Sequence, residues 1–194
     1  MPRKCRGETH KCEQNEIGDE VMQAGDVLEF WFVEHGPDDW YSGDPEFDAR
    51  CAARLSDVYA KAVRSELWTW RETPNGRLAE IILLDQLSRQ FNRGSAAAFA
   101  SDTMALALAQ EIVSRGLDAE LSVHEKLFAY MPYQHSESPV VQEESVRLFR
   151  SLDDDSYLTY AIEHHGIIAR FGRFPLRNAA LGRTSTPEEL AYMK

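Results

Sequence analysis

The chain has 194 residues, 43% hydrophobic and 27% charged, with 21 basic against 32 acidic side chains and a formal charge of −11. That length suits one domain with a core that needs no metal or disulfide staple, and the composition is that of a folded globule rather than a disordered chain. Net acidity argues against generic nucleic-acid binding, which draws its affinity from cationic surface against phosphates. Cys5, Cys12 and Cys51 are too few and too irregular for a disulfide framework, which fits a reducing cytoplasm.

Residues 1–24 lack helical or strand periodicity and read as a polar leader, disordered and neither a secretory nor a transit signal. Cys5, His10 and Cys12 fall within it, but a closed zinc site needs a fourth ligand. Beyond the leader, Asp26 is placed to cap the short apolar segment Val27–Phe32. Asp44-Pro45 is a helix start, and Phe47, Cys51, Leu55, Val58 and Ala62 follow at helical spacing. Thr73-Pro74-Asn75-Gly76 is a break. Residues 77–90 are apolar nearly all round, the mark of a buried helix.

Gly94-Ser95 opens an Ala-rich helix that stops at Gly116. Ser122-Val123-His124-Glu125 is a capping box, and the helix it starts should end near Pro132. Ser138-Pro139 begins another. After Asp153-Asp154-Asp155, a long helix carries Tyr157, Tyr160, Ala161, His164, Ile168 and Phe171 in one stripe and ends at Gly172. Thr186-Pro187 begins the last. No strand or hairpin signal appears, and no apolar run approaches the ~20 residues of a membrane span. Alanine and leucine outnumber valine and isoleucine 39 to 17, which favours helix. The expectation is an all-α single domain over residues 25–194, without sequence repeats.

Polar groups in apolar surroundings mark candidate sites. Asp85 and Arg89, four apart on the buried helix, can pair on one face, either as a structural ion pair or as part of a ligand site. His135 and Glu137 lie in a predicted loop, Tyr130–Glu137, and form a candidate acid/base pair; alternatively Glu137 helps cap the next helix. His164 lies on the apolar stripe, and His164 and His165 point about 100° apart, which disfavours a shared metal. No metal or other cofactor is expected. From His164 to Pro187 there are four arginines and no acid, a local charge of +4 that leaves −15 for the other residues. Arg170, Arg173, Arg177 and Asn178 there are candidate anion ligands, guanidinium forks matching carboxylate or phosphate. They are equally candidates for internal ion pairs and helix-end caps.

Nucleotide-loop and nucleophile-elbow motifs are absent. The run Val27–Phe32, Trp40-Tyr41, Ile82-Leu83-Leu84-Asp85-Gln86, Phe99–Asp102, Pro132–Glu137 and Arg170-Phe171-Gly172-Arg173-Phe174-Pro175-Leu176-Arg177-Asn178 resembles the bacterial "domain of unknown function 924" family over about residues 25–192. The resemblance implies a helical fold similar to tetratricopeptide-repeat superhelices, a cytoplasmic location and no settled activity. Two departures stand out. Leu176 replaces the family's usual histidine, and Arg89-Gln90 replaces an arginine-asparagine pair. The chain also stops at Lys194, sooner than many relatives.

Two functions follow as expectations. One is a site for a small anionic metabolite, with catalysis or binding alone left open. There Arg170, Arg173 and Arg177 hold the anion, His135 and Glu137 move protons, and Asp85 and Arg89 support them. The other is a helical scaffold that grips a peptide or protein through aromatics such as Trp40, Trp68 and Trp70.

Overall fold

A computed structural model describes residues 22–194, so the leader's Cys5, His10 and Cys12 lie outside the described residues. Helix α1 (Ala24–Glu29) runs into a π-helical turn, Phe30–Glu34, and a short α2 (Pro37–Trp40) follows. Asp26 sits inside the first turn rather than at the cap, where its carboxylate accepts from the Gln23 N–H at 2.7 Å. Helix α3 (Pro45–Val63) starts where its sequence directs: the Asp44 carboxylate accepts from the Glu46 N–H at 2.9 Å, and Pro45 occupies the first helical position. Its apolar face, Phe47, Cys51, Leu55, Val58 and Ala62, is fully inside.

The centre of the molecule is one rod of three parts: α4 (Pro74–Ile81), a π-helical segment Ile82–Leu87, and α5 (Ser88–Phe91). Leu78, Ala79, Ile81, Ile82, Leu83, Leu84 and Leu87 are at most 1% exposed, as an all-round apolar helix requires. Helices α1, α3, α6 (Asp102–Ser114) and α7 (Val123–Gln134) pack around it. Helix α7 also carries the outer pair α8 (Pro139–Arg150) and α9 (Asp155–Phe171), and α10 (Pro187–Tyr192) closes the chain. The described residues contain no strand, so the fold is all-α. Gly116 and Gly172 adopt left-handed conformations, φ +66° and +69°, where helices α6 and α9 leave off.

Three boundaries differ from the sequence expectation. The Thr73–Gly76 break is itself a helix start, because the Thr73 hydroxyl accepts from the Gly76 N–H at 3.0 Å. The alanine run folds as a 3-10 turn, Ala96–Phe99, and α6 begins only at Asp102. Helix α7 passes through Pro132 to Gln134, so Tyr130–Gln134 is helical and buried rather than loop. A proline in the last turn removes a single backbone bond, and packing against the core outweighs that loss. Residues 96–114 do reach the length and mean hydropathy of a membrane span, 1.2, by length and composition only, although they contain no long unbroken apolar run and divide between the 3-10 turn and α6.

Gly76 shows how tightly the rod is seated. A Cβ there would lie 1.9 Å from the Trp70 carbonyl oxygen, a backbone atom that cannot step aside. Gly166, inside α9, has open space around it. Gly76→Ala should therefore lower unfolding free energy by about 2–4 kcal/mol, through forced backbone shifts. Gly166→Ala should raise it by about 0.5–1 kcal/mol. Urea denaturation of both variants checks the pair.

Candidate functional site

The π-helical segment places Asp85, with no exposed surface, at the heart of a polar cluster. π-Helical turns inside α-helices recur at functional sites, since the extra residue re-aims the side chains beyond it. Asp85 Oδ1 lies 2.8 Å from His135 Nδ1 and 3.2 Å from Arg89 Nη1, and its Oδ2 accepts from Gln86 Nε2 at 2.5 Å. Arg89 forks onto Asp102 with bonds of 2.9 and 3.0 Å and also donates to the Asp85 carbonyl at 2.6 Å. Arg177 reaches the same Asp102 at 3.3 Å and donates to the His135 carbonyl at 3.0 Å. Its guanidinium lies over the rings of Phe99 and Phe174, 4.8 and 4.4 Å from their centroids. Fully buried Gln142 fixes the turn that bears His135 by donating to the carbonyls of Gln134 and Ser136, both at 2.7 Å.

Burial, reinforced by the positive charge of Arg89, pushes the His135 pKa down to about 4, against the pull of Asp85. Burial would raise Asp85, but Arg89 and His135 together hold it well below the usual carboxylate range. At neutral pH the pair is thus a carboxylate and a neutral imidazole. The Nδ1–H donates to the carboxylate, and the Nε2 lone pair has no partner among the described residues.

His135 lines a cavity of about 440 Å³ between the central rod, α7, α8 and α9. Leu127, Met131 and Phe149 form its apolar wall; Gln86, Arg89, Gln134 and His164 add polar groups, and Tyr41, Tyr157 and Tyr160 supply three phenols. Tyr41 is 59% exposed, and partial desolvation, helped by Tyr157 and Tyr160, pushes its phenol up to about 12, so it stays a hydrogen-bond donor. The His164 ring lies 6.5 Å from that of His135. His164 Nδ1 donates to the Tyr160 carbonyl at 2.8 Å, and burial lowers its pKa.

The pairing expected of His135 and Glu137 is not present. Glu137 is held by Arg183 at 2.7 and 3.0 Å and accepts from the Phe174 N–H at 2.8 Å, so its carboxylate ties the chain's last segment to the α7–α8 turn. The proton partner of His135 is Asp85, fifty positions away. Nor do the arginines converge on one ligand. Arg173 forks onto buried Glu189 at 2.6 and 2.8 Å, exposed Arg170 pairs with Glu188 at 2.8 Å, and only Arg177 reaches the His135 cluster. Asn178 donates to Ser185 and Glu189 within the same clamp. Leu176, at the family's histidine position, is 76% exposed and does not line the cavity.

Of the tryptophans offered for peptide binding, Trp40 packs against Trp31 and Phe128, Trp70 is half-buried, and Trp68 is exposed. Among the described residues no three histidine, cysteine or carboxylate side chains group as a metal site. Sequence reasoning missed Asp102, Gln134 and the three tyrosines as members of the site. The signal was present for two of them: Tyr157 and Tyr160 share the helical stripe of His164, which was read as core.

An all-α domain with a buried carboxylate–imidazole pair at a cavity is the class this geometry defines. The chain belongs to the family described as "Bacterial protein of unknown function (DUF924)", whose model matches residues 27–194. A solved structure described as the protein of unknown function ATU0120 from Agrobacterium tumefaciens is similar, at 39% sequence identity and a TM-score of 0.84, covering 88% of this chain and 96% of that one. No functionally curated protein matches.

Two stability predictions follow from the cluster. Asp102→Ala leaves Arg89 and Arg177, only 20% and 13% exposed, short of their shared carboxylate, and should cost at least about 3 kcal/mol. Removing Asp48 from its pair with half-exposed Arg93 should cost less than about 1 kcal/mol. Chemical denaturation of both single variants tests the contrast.

The second concerns pH. His135 has an ordinary value of 6.5 and a folded value of about 4, so between them the unfolded chain binds the extra proton. Its contribution is fully present above the ordinary value and is lost as pH falls toward the folded one, on the order of 3 kcal/mol in all. His135→Gln should flatten the acid limb of a stability–pH curve over that window, and an unchanged limb would exclude the assignment.

Proposed function

We propose that the cavity is a small-molecule site for an anionic metabolite and that His135 acts in it as a general base. The observation that carries this reading is the fully buried Asp85, which fixes the His135 tautomer and leaves an unpartnered Nε2 on a residue that lines a concave, largely apolar cavity. Burial keeps the imidazole neutral at physiological pH, the state a base requires. A base here would take a proton from a bound water or from an acidic C–H, N–H or O–H of the ligand. Among the described residues the cavity wall carries no serine, threonine or cysteine to serve as a covalent nucleophile.

The charge of the ligand follows from the wall. Among the described residues Arg89 is the one fully charged side chain lining the cavity, and none of the lining residues is a carboxylate. Behind the wall, Asp85 and Asp102 balance Arg89 and Arg177, so the cluster has no surplus cation. Phenols, amide and guanidinium N–H groups supply directed donors instead. Such a wall suits one carboxylate better than a multiply charged phosphate, whose charge would be poorly compensated in a low-dielectric site.

The test is a thermal-shift and calorimetric screen of carboxylated, phosphorylated and cationic metabolites on the wild-type chain, followed by turnover assays on the hits. Carboxylates should bind saturably and cations should not. Tyr160→Ala, at the exposed rim, should weaken the hits about tenfold. His135→Gln should lower any turnover by about 10²–10⁴-fold while leaving the fold intact. Hits that ignore both variants, or a screen without saturable hits, would overturn the reading.

A further inference from the structure

Resting on that reading of the cavity, we infer that Gln134 is its specificity-determining residue and that the ligand carries a primary amide, or a lactam-like edge, at its buried end. Gln134 is 5% exposed and lines the cavity, yet its side chain makes no hydrogen bond among the described residues. Only its backbone is engaged, the carbonyl accepting from Gln142 Nε2 at 2.7 Å. Neither side-chain polar atom is fully sealed: the sealed polar atoms that lack partners include those of Arg77, Gln90, Gln142 and Asn178 but none from Gln134. A carboxamide on a cavity-lining residue, nine-tenths buried and unpaired within the described residues, is the arrangement expected of a group whose partner is the ligand.

Its position strengthens the inference. Gln134 is the last residue of α7 and directly precedes His135, and the Gln142 clamp holds both. Met131, Leu127 and Phe149 on the cavity wall are at most 8% exposed and offer no strong hydrogen-bond donor or acceptor of their own. An apolar ligand end placed there would leave the carboxamide desolvated and unpaired, a penalty that weakens binding about tenfold or more. Selection follows from that penalty. A group with one donor and one acceptor side by side satisfies Gln134 in a two-bond pairing, a ketone or ester satisfies one half, and a methyl satisfies neither.

The experiment uses matched fragment pairs, each a primary amide and its methyl ketone of the same shape, on substituted benzoate and short aliphatic carboxylate frames. Affinities are measured by calorimetry against wild-type, Gln134→Met and Gln134→Glu. The amide member should bind the wild-type at least about tenfold tighter than its ketone partner, and that preference should vanish in Gln134→Met. Should a variant fail to fold, the Gln134 side-chain NH₂ resonances of ¹⁵N-labelled wild-type should shift on titration with amides and not with ketones. Pairs that bind equally, with those resonances unmoved, would overturn the role of Gln134 and leave the cavity reading standing. A series in which no member binds would overturn both.

Discussion

A carboxylate with no access to solvent sets the terms for the rest of this structure. Asp85 lies in the most apolar segment of the chain, where an uncompensated charge costs far more than the fold can supply. Arg89, four residues on, answers part of the charge, but it is itself four-fifths buried and needs a second carboxylate, which Asp102 provides. Asp102 then accepts Arg177 as well, and Arg177 closes the circuit by donating to the His135 carbonyl. The circuit joins the central rod, α6, the α7–α8 turn and the chain's last segment. Removing any member strands charge elsewhere, so the cluster locks the relative placement of four parts of the fold.

The same accounting explains the segregated charge. Four arginines between His164 and Pro187 meet four carboxylates: Glu188, Glu189, Asp102 and Glu137. The segment after α9 contains little regular structure, only a 3-10 turn and α10, and these ion pairs tie it to the rest of the molecule. Arg173 lowers the pKa of Glu189 to about 2, and that carboxylate also accepts from the Thr186 N–H, so one group caps α10 and anchors the arm. An acidic protein with a basic arm is, in the folded state, largely self-neutralised there.

What the sequence made legible was local. Helix starts at Asp44, Ser122 and Thr186 and left-handed exits at Gly116 and Gly172 were readable because a cap is decided within four residues. The buried rod was readable from its all-round apolarity. The π-helical segment was not, since its pattern over six residues does not differ from that of an α-helix, and it is this segment that carries Asp85. His135 was found as a candidate, but its partner was assigned by proximity in sequence. Glu137 two residues away lost to Asp85 fifty residues away, because only packing of α7 on the rod brings the second pair together. The tyrosines escaped notice for a related reason: a phenol on an amphipathic stripe reads as core until the neighbouring helix is seen to leave a cavity beside it.

The resemblance sets a histidine where this chain has Leu176. Leu176 is three-quarters exposed, next to Arg177 but outside the cavity wall, on a turn whose inward contacts belong to Phe174, Pro175 and Arg177. An imidazole at that position on this backbone would point to solvent, whereas His135 and His164 both line the cavity. A leucine in its place removes a surface group and leaves the buried carboxylate, its imidazole and the arginine circuit untouched. On the proposed reading, the chemistry rests on what is inside the circuit, Asp85 and His135 with Gln134 beside them, and not on Leu176 in the chain's most arginine-rich motif.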